Sequence, residues 1–97
     1  MHYVYILRSQ KDGNLYVGYT KDLAQRVREH NAGRVPSTRL RQPLDLIHYE
    51  AFVNQIDATS REKWYKSGWG RAHVKQMLAS TLESFGGLDQ KPSKISN

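Results

Sequence analysis

A chain of 97 residues has room for one hydrophobic core, and 38% hydrophobic content with two Trp, six Tyr and two Phe can fill it. Fifteen Lys and Arg against nine Asp and Glu give a formal charge of +6 and a pI near 9.8, which favours a polyanionic partner, although charge alone also serves solubility. The absence of cysteine excludes disulfides and thiolate metal sites, and no run approaches the roughly 20 apolar residues of a membrane span.

The opening Met-His-Tyr-Val-Tyr-Ile-Leu-Arg has no small-residue cleavage site, so a soluble, unprocessed, cytoplasmic protein is expected. Residues 3–7 and 15–20 are rich in strand formers and flank Asp12-Gly13, the preferred centre of a two-residue turn with positive φ at both positions. Centred there, the hairpin pairs Ser9 with Tyr16, Leu7 with Gly18 and Tyr5 with Thr20. Tyr3, Tyr5, Leu7, Tyr16 and Gly18 then share one face, and Val4, Ile6, Leu15, Val17 and Tyr19 the other.

Thr20 or Asp22 can cap a helix over about 22–32, Asp22 having Gln25 three residues on, and Gly33 supplies the stop. Its apolar stripe is thin, Leu23 and Val27, with Arg26 and His30 beside it at spacings of three and four. Residues 33–43, with two prolines and three arginines, form a basic loop able to meet phosphate. Residues 44–53 alternate as a third strand, with Leu46, His48, Glu50 and Phe52 on one phase and Ile47, Tyr49 and Val53 on the other.

Helical composition follows from Ile56 to the glycines at 68 and 70, then again over about 71–82. Ala58, Glu62, Tyr65 and Trp69 recur at helical spacing, so a carboxylate interrupts an otherwise apolar stripe; the ordinary alternative is a surface Glu62 paired with Lys66. Trp64 and Trp69 are assigned to the core. The domain is expected over 1–85, as a compact α/β (α+β) fold with a three-stranded, mainly antiparallel sheet flanked by helices. The polar stretch 86–97 is expected as a mobile tail.

Taken in order, Tyr3-Val4-Tyr5, Leu15-Tyr16-Val17-Gly18, the run 20–31, Ser37-Thr38-Arg39 and the segment 58–71 resemble the GIY-YIG nuclease domain. The resemblance extends over about residues 3–79 and is greatest to small stand-alone prokaryotic members. Tyr3 stands where the first motif has glycine, and Val4 and Val17 replace isoleucine. The resemblance implies a metal-dependent endonuclease of nucleic acid, DNA before RNA, acting in repair or recombination. Tyr16 is then the general base, Tyr5 its partner or alternate, Arg26 the stabiliser of the transition state, His30 an auxiliary acid or base, and Glu62 the ligand of one Mg²⁺ or Mn²⁺.

Those residue types suit the chemistry. Hydrolysis of a phosphodiester needs an activated water, stabilised negative charge on the phosphoryl oxygens and a protonated leaving group. A tyrosine with a reference pKa near 10 becomes a usable base only among cations, and the planar donor fork of arginine matches phosphate. A single glutamate suits a hard ion that keeps most of its waters. Lys21, Arg28, Arg34, Arg39 and Arg41 are candidate contacts to the nucleic-acid backbone, which position without reading sequence. A monomer without membrane contact is expected. The competing readings are a non-catalytic nucleic-acid-binding or adaptor module of the same fold, which has no use for Glu62 in a helical stripe, and a protein-interaction scaffold, which predicts no salt-dependent nucleic-acid affinity.

Overall fold

The computed structural model describes residues 1–85 and the backbone of Ile95–Ser96. Strands β1 (His2–Ser9), β2 (Leu15–Thr20) and β3 (Leu44–Phe52) form an antiparallel sheet in the order β3-β1-β2, and helices α1 (Leu23–Asn31), α2 (Gln55–Tyr65), α3 (Gly68–Met77) and α4 (Ala79–Ser84) flank it. This is the α+β class expected. The stretch expected as a mobile tail lies outside the described residues except for β4 (Ile95–Ser96), which pairs in parallel with Leu15 and Tyr16.

The hairpin register differs by two residues from the one Asp12-Gly13 suggests, with Leu7 opposite Tyr16 and Tyr5 opposite Gly18. Only Gly13 of that dipeptide has positive φ, so the two-residue turn does not form. A longer loop closes instead on Ser9: its N–H donates to the Asn14 carbonyl at 3.0 Å, and its Oγ accepts from the N–H groups of Lys11 and Asp12 at 3.1 and 3.2 Å. Because the shift is even, every side chain keeps the face expected for it.

Both faces of the sheet are buried. Val4, Ile6, Leu15 and Val17 pack with Ala58 and Tyr65 of α2, Val74 of α3, and Leu78 and Leu82. Tyr5, Leu7, Tyr16 and Leu44 pack on the opposite side with Leu23 and Val27 of α1. The thin stripe of α1 is enough because the tyrosines of the sheet supply the remaining apolar surface.

Three expectations fail further along the chain. In β3 a register irregularity opposite Ile6 and Leu7 leaves Ile47 as an extra residue, with Leu46 opposite Leu7 and His48 opposite Ile6. Paired residues share a face, so Leu46 and His48 lie on opposite faces rather than on one phase. Trp69 is 82% exposed, not in the core, while Trp64 is half-buried against the core. The helix carrying Ala58, Glu62 and Tyr65 ends at Tyr65, and Ser67 caps a new helix through Gly70, so Trp69 no longer continues the stripe. Gly70 permits that break: a Cβ there would lie 2.5 Å from Tyr65 Cα and inside the Trp64 carbonyl. The second expected helix is also divided, at Leu78, into α3 and α4.

Candidate active site

Asp22 caps α1 as expected, its carboxylate accepting the Gln25 N–H at 3.1 Å, and this sets Arg26 and His30 one turn apart over the Tyr5 face of the sheet. At the far end of α1, Asn31 grips the start of β3. Its amide donates to the Leu44 carbonyl at 3.0 Å and accepts the Leu44 N–H at 2.8 Å, as a neighbouring strand would.

Tyr5 is 1% exposed, and its ring crosses β2 at Gly18, where any Cβ would collide with the ring carbon Cζ and the hydroxyl. Gly18 is therefore the space that the first tyrosine occupies. The Tyr5 hydroxyl lies 2.8 Å from His30 Nε2, and His30 Nδ1 lies 2.6 Å from Thr38 Oγ1. His30 and Thr38 are both fully buried. The Tyr16 ring sits 5.0 Å from the imidazole and 6.3 Å from the Tyr5 ring, centre to centre.

Burial pushes the Tyr5 hydroxyl up to about 12, with the charges of Tyr16 and Glu62 acting in the same direction, against a hydrogen bond and the positive charge of Arg26. Burial, helped by the Arg26 charge, brings His30 down to about 4. At neutral pH this pair is phenol and neutral imidazole. Burial works against the charge of Arg26, but its hydrogen bonds to Tyr5 and to Glu29 Oε1, at 3.0 Å, hold its pKa above the ordinary value.

Glu62 reaches this group from α2, close enough for its charge to act on Tyr5, and its Oε2 accepts from Lys66 Nζ at 2.9 Å. Tyr16, Arg26 and His30 thus gather about Tyr5, and Glu62 acts on it through its charge, although α1 and α2 pack on opposite faces of the sheet. Among the described residues no three His, Cys, Asp or Glu gather as a metal cluster. One partly exposed carboxylate is a donor of the kind that suits a hard ion keeping most of its waters.

Lys21, Arg28, Arg34 and Arg39 are exposed. Two open depressions of about 260 Å³ each meet at Gln25 and Glu29: one is lined by Lys21 and Arg26, the other by Arg28 and Arg34. Arg41 differs, because its Nε donates to Asp12 Oδ2 at 2.9 Å and ties the basic loop to the hairpin turn. Sequence reasoning passed over Thr38 and Asn31, although both fall inside segments that carry the family resemblance.

The chain belongs to the GIY-YIG family: residues 1–75 match the family model of the GIY-YIG catalytic domain, a nuclease-type domain. Among its relatives is the UPF0213 protein of Haloquadratum walsbyi, 51% identical over 67 residues, which cover 68% of this chain and 74% of that one. The UPF0213 protein of Natronomonas pharaonis is 43% identical over 79 residues, 80% of this chain and 91% of that one. The solution NMR structure of the UPF0213 protein of Bacillus halodurans is 33% identical, with a TM-score of 0.43 over 89% of this chain and 85% of that one. No helix among the described residues is long and apolar enough to cross a membrane.

Proposed function

We propose that this protein is an endonuclease that hydrolyses phosphodiester bonds of nucleic acid, DNA before RNA, in repair or recombination. The observation that carries the reading is the gathering of His30, Tyr16 and Arg26 about one buried tyrosine, Tyr5, within electrostatic reach of Glu62. A binding module needs surface cations; it has no need of a phenol held neutral between an arginine and a buried imidazole.

Tyr16 is the first choice for the general base. Tyr5 is held neutral up to about 12 and its hydroxyl is engaged with His30, which suits it to orient rather than to accept the first proton. Arg26 directs its donors at the phosphoryl oxygens, where charge develops in the transition state. His30 is the auxiliary group behind Tyr5. Glu62 is the residue that would hold one Mg²⁺ or Mn²⁺, whose contribution when bound is Lewis-acid neutralisation of charge at a phosphoryl oxygen. Lys21, Arg28 and Arg34 in the two depressions, with the exposed Arg39, support a track for the backbone along α1 and the basic loop. We take the protein to act in the cytoplasm, as a chain without cysteine permits.

One observation favours the adaptor reading. Glu62 and Lys66 form the ion pair at i, i+4 that any solvated helix can carry. Labelled single-stranded, duplex and branched DNA and RNA, incubated with Mg²⁺, Mn²⁺ or EDTA, separate the two readings. Cleavage that needs the metal and falls at least about 100-fold in Tyr16→Phe is expected. Tight binding without cleavage of any substrate would establish the adaptor instead.

A further inference from the structure

We propose that Thr38 is a positioning residue of the active centre: its buried hydroxyl accepts the Nδ1 proton of His30, fixing the tautomer whose Nε2 accepts from the Tyr5 hydroxyl. The catalytic consequence rests on the nuclease reading above; the tautomer itself does not.

A neutral imidazole has one N–H donor and one bare acceptor nitrogen, and here each nitrogen faces a hydroxyl, Tyr5 at 2.8 Å and Thr38 at 2.6 Å. Two arrangements satisfy both contacts, and the surroundings choose between them. Arg26 lies near enough to Tyr5 for its positive charge to act on the phenol, and a guanidinium can only donate. If Nε2 carried the proton instead, the phenol oxygen would turn a lone pair to the imidazole, and its own proton would be left to face the positive charge of Arg26. With the proton on Nδ1, the Tyr5 O–H points inward to Nε2 and its oxygen lone pairs face Arg26. Thr38 then acts as the acceptor, which a hydroxyl oxygen can do.

The placement of Thr38 gives this contact a second meaning. It lies in the basic loop beside Arg39, and its N–H donates to the Val35 carbonyl at 3.1 Å while its carbonyl accepts from Arg41 at 2.9 Å. The loop that carries the exposed cations is thereby anchored, through one side chain, to the histidine behind Tyr5. Ser37-Thr38-Arg39 belongs to the sequence resemblance, yet no chemistry attaches to its central residue until the fold places it against His30.

The test compares wild type, Thr38→Val and Thr38→Ser, each checked for matched circular dichroism and thermal midpoint. Long-range ¹H–¹⁵N correlation spectra of the histidine ring report which nitrogen of His30 carries the proton. Wild type and Thr38→Ser are expected to hold it on Nδ1; Thr38→Val, which keeps the shape but offers no acceptor, is expected to shift it toward Nε2. On a substrate that wild type cuts, Thr38→Val should lower kcat about 10- to 100-fold at nearly constant KM, and Thr38→Ser should restore it. An unchanged His30 tautomer in Thr38→Val overturns the proposal. A shifted tautomer in a protein that cuts nothing upholds the positioning role and removes the nuclease reading. Should Thr38→Val not fold, Thr38→Ser and Thr38→Ala carry the same comparison.

Discussion

The fold takes the His30 imidazole wholly out of water. In the folded protein it stays neutral down to about pH 4, whereas in the unfolded chain it takes a proton near 6.5. Between these values the unfolded chain binds more protons, so acidification through the window favours unfolding, and the His30 contribution is complete only above about 6.5. Urea midpoints measured near pH 7.5 and 4.5 should therefore fall more in wild type than in His30→Gln, the carboxylates being common to both. Equal losses would show that His30 titrates normally. Gly18 is the other decisive residue, since its missing Cβ is the room the Tyr5 ring uses. Gly18→Ala should cost about 1–3 kcal/mol by overpacking, and it should also depress cleavage because the ring it displaces holds the central hydroxyl. A thermal midpoint and a cleavage rate both left at wild-type values would contradict that role for Gly18.

The elements differ in how openly the sequence declares them. Helix α1 is legible to within a residue at each end, because Asp22 and Gly33 are local signals and their partners lie within the same turn. The faces of the hairpin are legible too, since they depend only on an alternation of two. Its register is not: the turn is set by the Ser9 side chain and by the Gln10 N–H reaching the Pro43 carbonyl, a partner 33 residues away. Trp69 is misplaced for a related reason, as a helical period cannot reveal that one helix has stopped and another begun. The five candidate site residues are legible only as an ordered set, and the approach of His30 and Tyr16 to Tyr5 depends on α1 packing over that face of the sheet. Within the basic loop the structure divides the arginines by use. Arg41→Ala should lower stability by about 1 kcal/mol, because a half-buried charge-assisted hydrogen bond to Asp12 goes with it. Arg34→Ala with Arg39→Ala should leave stability within about 0.5 kcal/mol of wild type. That double variant should weaken nucleic-acid binding across sequences and reduce the slope of log affinity against log salt by about 2, one for each phosphate no longer neutralised. A titration over several salt concentrations distinguishes this from a track that runs elsewhere.

At the scale of the whole molecule, the sheet is both scaffold and partition. Helix α1 brings Arg26 and His30 to one face, α2 packs on the other, and Glu62 still lies near enough to Tyr5 for its charge to be felt there. The Tyr65 face is locked separately, as Glu50 accepts from the Tyr65 hydroxyl, from Arg61 Nε at 2.9 Å and from His48, so α2 is held to β3 without help from Glu62. Removing the charge of Glu62 should therefore leave the fold standing. Glu62→Gln keeps size and helix propensity, and the Lys66 pairing it weakens is partly exposed and worth only about 0.5 kcal/mol. What it takes away is the negative charge that α2 would offer a divalent ion, the Glu29 carboxylate being engaged with Arg26. Cleavage by Glu62→Gln should fall at least about 100-fold, with circular dichroism and thermal midpoint preserved. Affinity for nucleic acid in EDTA should be equal or slightly higher, since the variant carries one negative charge fewer. Arg26→Ala should also stop cleavage but weaken ground-state binding with it, which makes it the less discriminating variant. Full metal-dependent cleavage by Glu62→Gln would falsify the ligand assignment and return Glu62 to the role of a solvated partner for Lys66.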